Sequence, residues 1–412
     1  MSRILATAAV ACVFGLSARS VSANPITLPE ALAMVERSPS LRLAAASVGE
    51  AEGRLEQATL YNYNPALSAQ GGAWYASNPV LYDFQISLGQ RFELGGKRGA
   101  RKRVASAERD AAVELVSSTR IELHAEVRRA YNAALVAQER VAVTLENETW
   151  ARQFQDAARE RMRLGAATQT EVNVAVAGLG RAIAANKEAT RDVLIARQAL
   201  ERALGLPGAD LEPTGALPTF PAAPANEADV VAIALASRRD LAAMDRIRVA
   251  RDASVTLADA QATPDPELSV SWARSQLEDN TGVLVGVSVD LPLWNRNQGG
   301  RAAARASKTR AEVELAAMRA TVERDVRIAL RRYRAAISAV EAFDKQVVGT
   351  LAENLELARQ TLAAGKLGLL DINNVRRDLV ESQLTYLNAV LEAVAARAEL
   401  ETSMGRSLEG DR

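Results

Sequence analysis

The sequence predicts a mainly α-helical chain with a minor β part, in which two copies of one unit each combine long antiparallel coiled-coil helices with a pair of strands. Three observations carry this prediction. Hydrophobic residues make up 48% of the 412 positions but aromatics only 4%, with abundant Ala, which suits long helices packed through small side chains. Motifs recur about 200 residues apart. Finally, nine of the 17 aromatics fall in two short stretches, 61–94 and 267–294, where apolar and polar residues alternate.

Several classes are excluded at once. Charges balance at 50 basic and 50 acidic residues, so the chain lacks the basic field that offsets phosphate repulsion, and no nucleic acid is expected as a partner. Gly periodicity, Cys pairs and the low apolar content of disordered chains are all missing. His124 is the single imidazole and Cys12 the single thiol, so neither a zinc set nor a nucleophilic triad can be assembled. Gly178-Leu179-Gly180 lacks the preceding strand and third glycine of a dinucleotide loop. No enzyme activity, cofactor or tight metal site is expected.

Taking the elements in order, residues 1–23 read as a secretory signal peptide: Arg3, an apolar run from Ile4 to Leu16, and Val21-Ser22-Ala23 before the cleavage point. Cys12, preceded by small residues, is the alternative as a lipid acceptor. After cleavage the chain carries a net charge of −2 and no cysteine, because the segment removes Arg3, Arg19 and Cys12. No later stretch has 18 uninterrupted apolar residues, which argues against a helical inner-membrane protein.

The first repeat spans 24–204. It opens with a short helix after a capping-type Thr27 and, past Ser38-Pro39, a second helix ending near Tyr61. A hairpin follows over about 65–94, in which Tyr82, Phe84, Ile86 and Leu88 alternate with Asp83, Gln85, Ser87 and Gly89. From about 97 to 163 there is no proline and little Gly, and apolar or small residues recur at 3/4 spacing, as in a coiled-coil seam. Gly165 ends this helix, and Thr168 caps the next, over 169–204.

A connector at 205–228 holds five of the 13 prolines. The second repeat, 229–405, restates the order: short helices at about 228–236 and 238–262, a hairpin at 266–294, a long helix at 299–363, a turn at Gly365-Lys366-Leu367-Gly368, a helix at 369–404, and a tail at 406–412. Repeat partners include Glu171-Val172-Asn173 with Asp371-Ile372-Asn373 and Pro65-x-Leu67-Ser68 with Pro266-x-Leu268-Ser269. Phe92 and Trp294 match at an offset of 202.

Each strand approaches the nine to eleven residues that cross a tilted bilayer span. Four strands cannot close a barrel and lipid tolerates no open edge, so either the strands stay out of lipid or several copies pool theirs; three copies would give 12. On the lipid reading, Asp83, Gln85, Ser87, Ser288 and Asp290 face the lumen, and Phe92 and Trp294 form an aromatic girdle. Gly95-Gly96 and Gly299-Gly300 permit the passage from strand to helix. Lys97, Arg98, Arg101, Lys102 and Arg103 oppose the dipole of a helix start, so something should compensate; the two readings are anionic lipid at the inner leaflet and, the favoured one, an ordinary solvated face. The acids Glu171 and Asp371 fit the first turns of their helices and, in a ring of chains, would attract cations.

On these features the chain resembles the TolC-like outer-membrane efflux proteins over nearly its whole mature length: duplicated halves, a hairpin before each long helix, and a Gly-containing turn followed by Glu171-Val172 or Asp371-Ile372. FELGGKRGAR at 92–101 and LPLWNRNQGG at 291–300 resemble the heavy-metal, CzcC-like branch. The resemblance implies a homotrimer with a 12-stranded β-barrel in the outer membrane of a Gram-negative bacterium and a helical tunnel, or α-barrel, in the periplasm. It further implies an exit duct for divalent cations, fed by an inner-membrane RND-type, proton-driven pump through a periplasmic adaptor (membrane fusion protein) that meets the tip at Leu164, Gly165, Ala166 and 365–368. The alternatives are a duct for drugs or other small molecules, and a periplasmic coiled-coil adaptor or scaffold.

Overall fold

The computed structural model describes residues 24–75, 80–343, 349–350, 353–354, 356–357, 360–361 and 369–408. The signal segment, Gly365–Gly368 and the last four residues lie outside the described residues.

Strand β1 (Asn24–Ile26) leads into α1 (Leu28–Val35) and α2 (Pro39–Thr59). Both helix starts follow from local chemistry. The Thr27 amide donates to Glu30 Oε2 at 2.8 Å in a capping box, and Ser38 Oγ accepts from the Leu41 amide at 3.3 Å, with Pro39 supplying the first helical φ. Strands β2 (Ala66–Trp74) and β3 (Leu81–Arg91) precede α3 (Lys97–Arg163), which at 1.5 Å per residue is roughly 100 Å long. Next come α4 (Gln169–Leu204), β4 (Leu211–Pro213), α5 (Glu227–Ser237), α6 (Arg239–Ala260), β5 (Glu267–Ser275), β6 (Asn280–Ser288), α7 (Gln298–Ala342) and α8 (Leu369–Met404).

The helices lie as columns. α3 packs on α2 and α4 along one side and on α6 and α8 along the other, and α7 packs on α6 and α8. At the waist each repeat has its own core, in which Val127 with Leu200 and Val326 with Leu400 occupy matching places. Tyr131 and Tyr333 are fully buried there, and their hydroxyls donate to connector carbonyls: Thr214 O at 2.6 Å and Pro221 O at 2.8 Å. The connector is therefore strapped to both cores, and part of it pairs: β4 runs parallel to β1, with Ile26 opposite Pro213. A Pro-rich composition alone does not reveal that pairing.

The second long helix departs from expectation. One helix is predicted over about 299–363, but α7 stops at Ala342 with Phe343 as its C-cap. Helical residues resume among those described at 349–361. Residues 344–348 lie outside the described residues; the last buried position of α7 is Tyr333, and past it Ala336, Ile337 and Val340 are only partly buried, so packing weakens toward its end.

The two hairpins form one antiparallel sheet in the order β2-β3-β5-β6. The join between repeats is β3 with β5, where Ser87 pairs with Ser271 and Arg91 with Glu267. Strands β2 and β6 are the edges. Beneath the sheet, Gly95 and Gly96 both adopt left-handed φ, +71° and +72°, and a Cβ on Gly95 would sit 2.8 Å from Thr263 Oγ1. The other junction is built differently from the expectation placed on Gly299-Gly300. Asn297 takes the left-handed conformation (φ 57°) and the two glycines lie inside the first turn of α7. The Asn297 side chain donates to Ala258 O at 2.9 Å, and a Cβ on Gly300 would collide with it, which explains the glycine there.

Candidate functional site: a polar-lined sheet above a helical column

The register sorts the sheet into two faces. On β3, Tyr82, Phe84, Ile86 and Leu88 are exposed, while Asp83, Gln85 and Ser87 are half-buried on the opposite face. Pairing extends both faces across the sheet: Ile86 stands beside Ala69 and Trp272, and Trp272 beside Val283. A soluble sheet hides its apolar side; here the apolar side faces outward and the polar side is the sheltered one. That inversion suits lipid outside and water inside.

The sheltered face carries a row of polar side chains bonded in two groups. Trp74 Nε1 donates to Asp83 Oδ2 at 2.6 Å, Gln85 Nε2 to Ser87 Oγ at 3.2 Å, and Ser271 Oγ to Ser87 Oγ at 2.9 Å. Ser288 closes β6 opposite Glu267 on the same face. Asp290, expected within the strand, lies two residues past its end. At this lower rim Phe92 and Trp294 are both exposed, Trp294 by 87%. Leu291 and Leu293 extend the apolar rim beside Trp294. The strand pairings also revise the repeat arithmetic: β6 follows β3 at an offset of 199, so Leu291 takes the ladder place of Phe92, and α7 begins two residues further from that place than α3 does.

Two members of the basic cluster at the start of α3, Lys97 and Arg101, find acids inside the chain. Lys97 Nζ lies 2.8 Å from Asp265 Oδ1, with side chains 11% and 9% exposed, and Arg101 pairs with Glu93. Asp265 also accepts from the Leu94 amide at 2.9 Å and from the Tyr63 hydroxyl at 3.1 Å, so one carboxylate of the second repeat grips three groups of the first. Burial pushes the Asp265 carboxyl up, but the Lys97 ammonium and the two hydrogen-bond donors outweigh it and hold the group below the usual carboxylate range. Arg91 packs over the Tyr63 ring at 5.4 Å and pairs with Glu267 at 3.3 Å, completing the collar. Sequence reading missed Asp265; the one available signal is its place between Pro264 and Pro266 at a rigid strand entry.

At the far end α3 closes in a Schellman turn. The Gly165 amide donates to Met162 O at 2.9 Å and the Ala166 amide to Arg161 O at 2.7 Å, with Gly165 at φ +77°. Leu164, Gly165 and Ala166 are exposed at this tip. Thr168 Oγ1 accepts from the Glu171 amide at 3.3 Å, so Glu171 sits at the third helical position, where the macrodipole favours an acid. Asp371 is exposed in the first turn of α8. The second tip turn, 365–368, is outside the described residues.

His124 lies on α3 with its Nε2 3.8 Å from Glu36. Burial pushes its imidazole below the ordinary value and the nearby Arg128 and Arg120 push the same way, against the pull of Glu36. Among the described residues no group of three or more His, Cys, Asp or Glu is placed to hold a metal ion, and no helix is long and apolar enough to cross a membrane. What the arrangement offers is a passage wall, apolar outside and polar inside.

Comparison with known proteins agrees with that geometry. The outer membrane efflux protein family matches residues 32–206 and 230–406, one match per repeat. The cobalt-zinc-cadmium resistance protein CzcC of Cupriavidus metallidurans is 26% identical over 392 residues, covering 93% of this chain and 91% of its own. The nickel and cobalt resistance protein CnrC of the same organism is 30% identical over 328 residues, covering 77% and 72%. In structure, the CmeC outer membrane channel of Campylobacter jejuni superposes with a TM-score of 0.77 at 15% identity over 92% of this chain and 85% of that one, a likeness of fold.

Proposed function

The chain belongs to the outer membrane efflux protein family, and from that premise we propose that it is the exit duct of a tripartite efflux system, exporting divalent heavy-metal cations. The carrying observation is the inverted sheet, with apolar residues exposed and a row of hydroxyls, amides and Asp83 sheltered, set above helical columns of which α3 is about 100 Å long. Three copies supply 12 strands to the outer-membrane barrel, and their helical columns extend it as a periplasmic tunnel. The exposed tip residues Leu164, Gly165 and Ala166 are the contact for a periplasmic adaptor, which joins the duct to a proton-driven inner-membrane pump of the RND type. The cargo assignment leans on relatives named for resistance to cobalt, zinc, cadmium and nickel. A duct needs no tight metal site: hydrated cations pass between carboxylates and hydroxyls that bind them weakly enough to release them.

Deleting the gene is expected to sensitise cells to cobalt, zinc, cadmium or nickel in growth assays, and restoring it to reverse this. Unchanged metal tolerance together with new drug sensitivity would move the cargo to organic molecules. At the tip, Glu171 and Asp371 form the cation-attracting mouth in addition to capping their helices. Glu171→Lys with Asp371→Lys should lower the cation preference of single channels in planar bilayers, whereas an unaltered reversal potential would leave these acids as helix caps.

A further inference from the structure

At the waist, away from both the sheet and the tip, a basic cleft of about 1310 Å³ opens between the two repeats. Arg120, His124 and Arg128 line it from α3, and Arg239 and Arg406 line it from the second repeat. Against these four guanidinium groups, Glu401 is the single acid of the lining among the described residues. Positions 120, 124 and 128 stand four apart on one helix face, where like charges repel one another. Acids meet part of that charge: Glu36 accepts from Arg120 Nε at 2.8 Å, Glu401 accepts from Arg128 at 2.8 and 2.9 Å, and Glu114 lies 3.4 Å from Arg239. A guanidinium has five N–H donors, so each of the three keeps donors to spare. Arg406 is exposed and makes no ion pair among the described residues. Two shielded nitrogens, His124 Nε2 and Arg128 Nε, have no hydrogen-bond partner among the described residues. Shielded nitrogens ordinarily have one, so the cleft is short of partners.

The other repeat shows what a self-balanced version looks like. At the offset of 199 that matches Val127 with Val326, Arg120 and Arg128 map to Arg319 and Arg327, but His124 maps to Glu323. Glu323 lies 3.5 Å from Arg327, so that stripe carries its own acid. At the offset of 200 that matches Leu200 with Leu400, Arg406 maps to Leu206. The first-repeat stripe has thus lost the acid and faces an added cation.

We infer that this cleft binds a compact oxyanion of the phosphate type, which bridges α3 of the first repeat to residues 239 and 406 of the second. Guanidinium forks match the oxygens of such an ion in shape as well as charge, which a chloride ion does not offer. The site is independent of what the duct carries.

Isothermal titration calorimetry of the mature protein in detergent is the test, with inorganic phosphate as the probe at mildly alkaline pH, where it is a dianion, and with ionic strength held constant by chloride. Saturable binding is expected, together with a phosphate-dependent rise in the thermal unfolding temperature. Arg239→Gln with Arg406→Gln, both outside the buried Glu401 node, should weaken the affinity by about tenfold or more, the worth of one charge-assisted hydrogen bond. Their unfolding temperature without phosphate should stay near the parent's. His124→Glu, which installs the acid found in the second repeat, should abolish binding. Arg310→Gln, outside the cleft, should bind as the parent does. The proposal is overturned by the absence of saturable heat at millimolar phosphate, or by equal affinity in the parent and the cleft variants. An equal loss in Arg310→Gln would show diffuse charge attraction and overturn it as well.

Discussion

Asp265→Ala is expected to cost about 3–5 kcal/mol, the range for removing one partner of a buried ion pair, because Lys97 would stay buried without its counterion. The Leu94 amide and the Tyr63 hydroxyl lose their acceptor in the same step. The consequence reaches beyond local stability, since this carboxylate ties the entry of β5 to the start of α3 and so sets the angle between sheet and column. Thermal unfolding in detergent, followed by circular dichroism, should shift down by many degrees. Replacing both partners, Lys97→Met with Asp265→Leu, should recover most of the loss, because two apolar groups leave no charge to desolvate. Lack of recovery would mean that the hydrogen bonds to Leu94 and Tyr63 matter more than the pair. The pH dependence has a definite sign. A carboxyl whose folded pKa is depressed stabilises the fold at every pH above its ordinary titration range, and loses that contribution as pH falls through its lowered pKa. The collar should therefore loosen on acidification below about pH 4, and Asp265→Asn should flatten that part of the acid-stability profile.

Glu401→Ala is the second large effect. Its carboxylate is 4% exposed and accepts from Arg128 at 2.8 and 2.9 Å, Arg397 at 3.2 Å, the Ser407 hydroxyl at 3.3 Å and the Leu408 amide at 3.1 Å. Removal leaves the largely buried Arg128 guanidinium without this counterion and takes the Glu401 contact from Arg397, again about 3–5 kcal/mol. Arg128 belongs to the long helix of the first repeat, and Glu401 and Arg397 to the last helix of the second, so the damage falls on the contact between repeats. Limited trypsin digestion should report it by early cleavage after Arg397 and Arg406, sites held by this node or next to it. Glu401→Gln, which keeps an acceptor of the same shape but no charge, should fall between the parent and the alanine variant. Equal protease resistance in all three would show that the core around Leu400 and Met404 holds the terminus unaided.

Much of the architecture was legible because its determinants are local. A proline-free run with 3/4 spacing specifies α3, Gly165 and Thr168 specify the turn and the next cap, and Ser38-Pro39 opens α2. That Asp83, Gln85 and Ser87 share one face of the sheet follows from strict alternation, which leaves one choice of face for all three. The end of α7 at Ala342 was not legible, since its last turns hold neither proline nor glycine and it is burial that falls off there. Nor was Asn297, whose left-handed conformation is held by contacts to Ala258 and Gln261, about 40 positions away.

By itself, then, the sequence determined the duplication, the strand faces, the helix ends and the family likeness, since each rests on periodicity, capping or motifs read within a few residues or matched at a fixed offset. The tertiary structure alone decided that the two hairpins share one sheet through β3 and β5, that the connector pairs with the N-terminus, and that Asp265 and Glu401 neutralise basic residues in the opposite repeat. Those partners lie 168 and 273 positions apart, and no local propensity encodes such a meeting. It arises when the packed columns bring the two repeats side by side, where a buried charge without a partner would be too costly to keep.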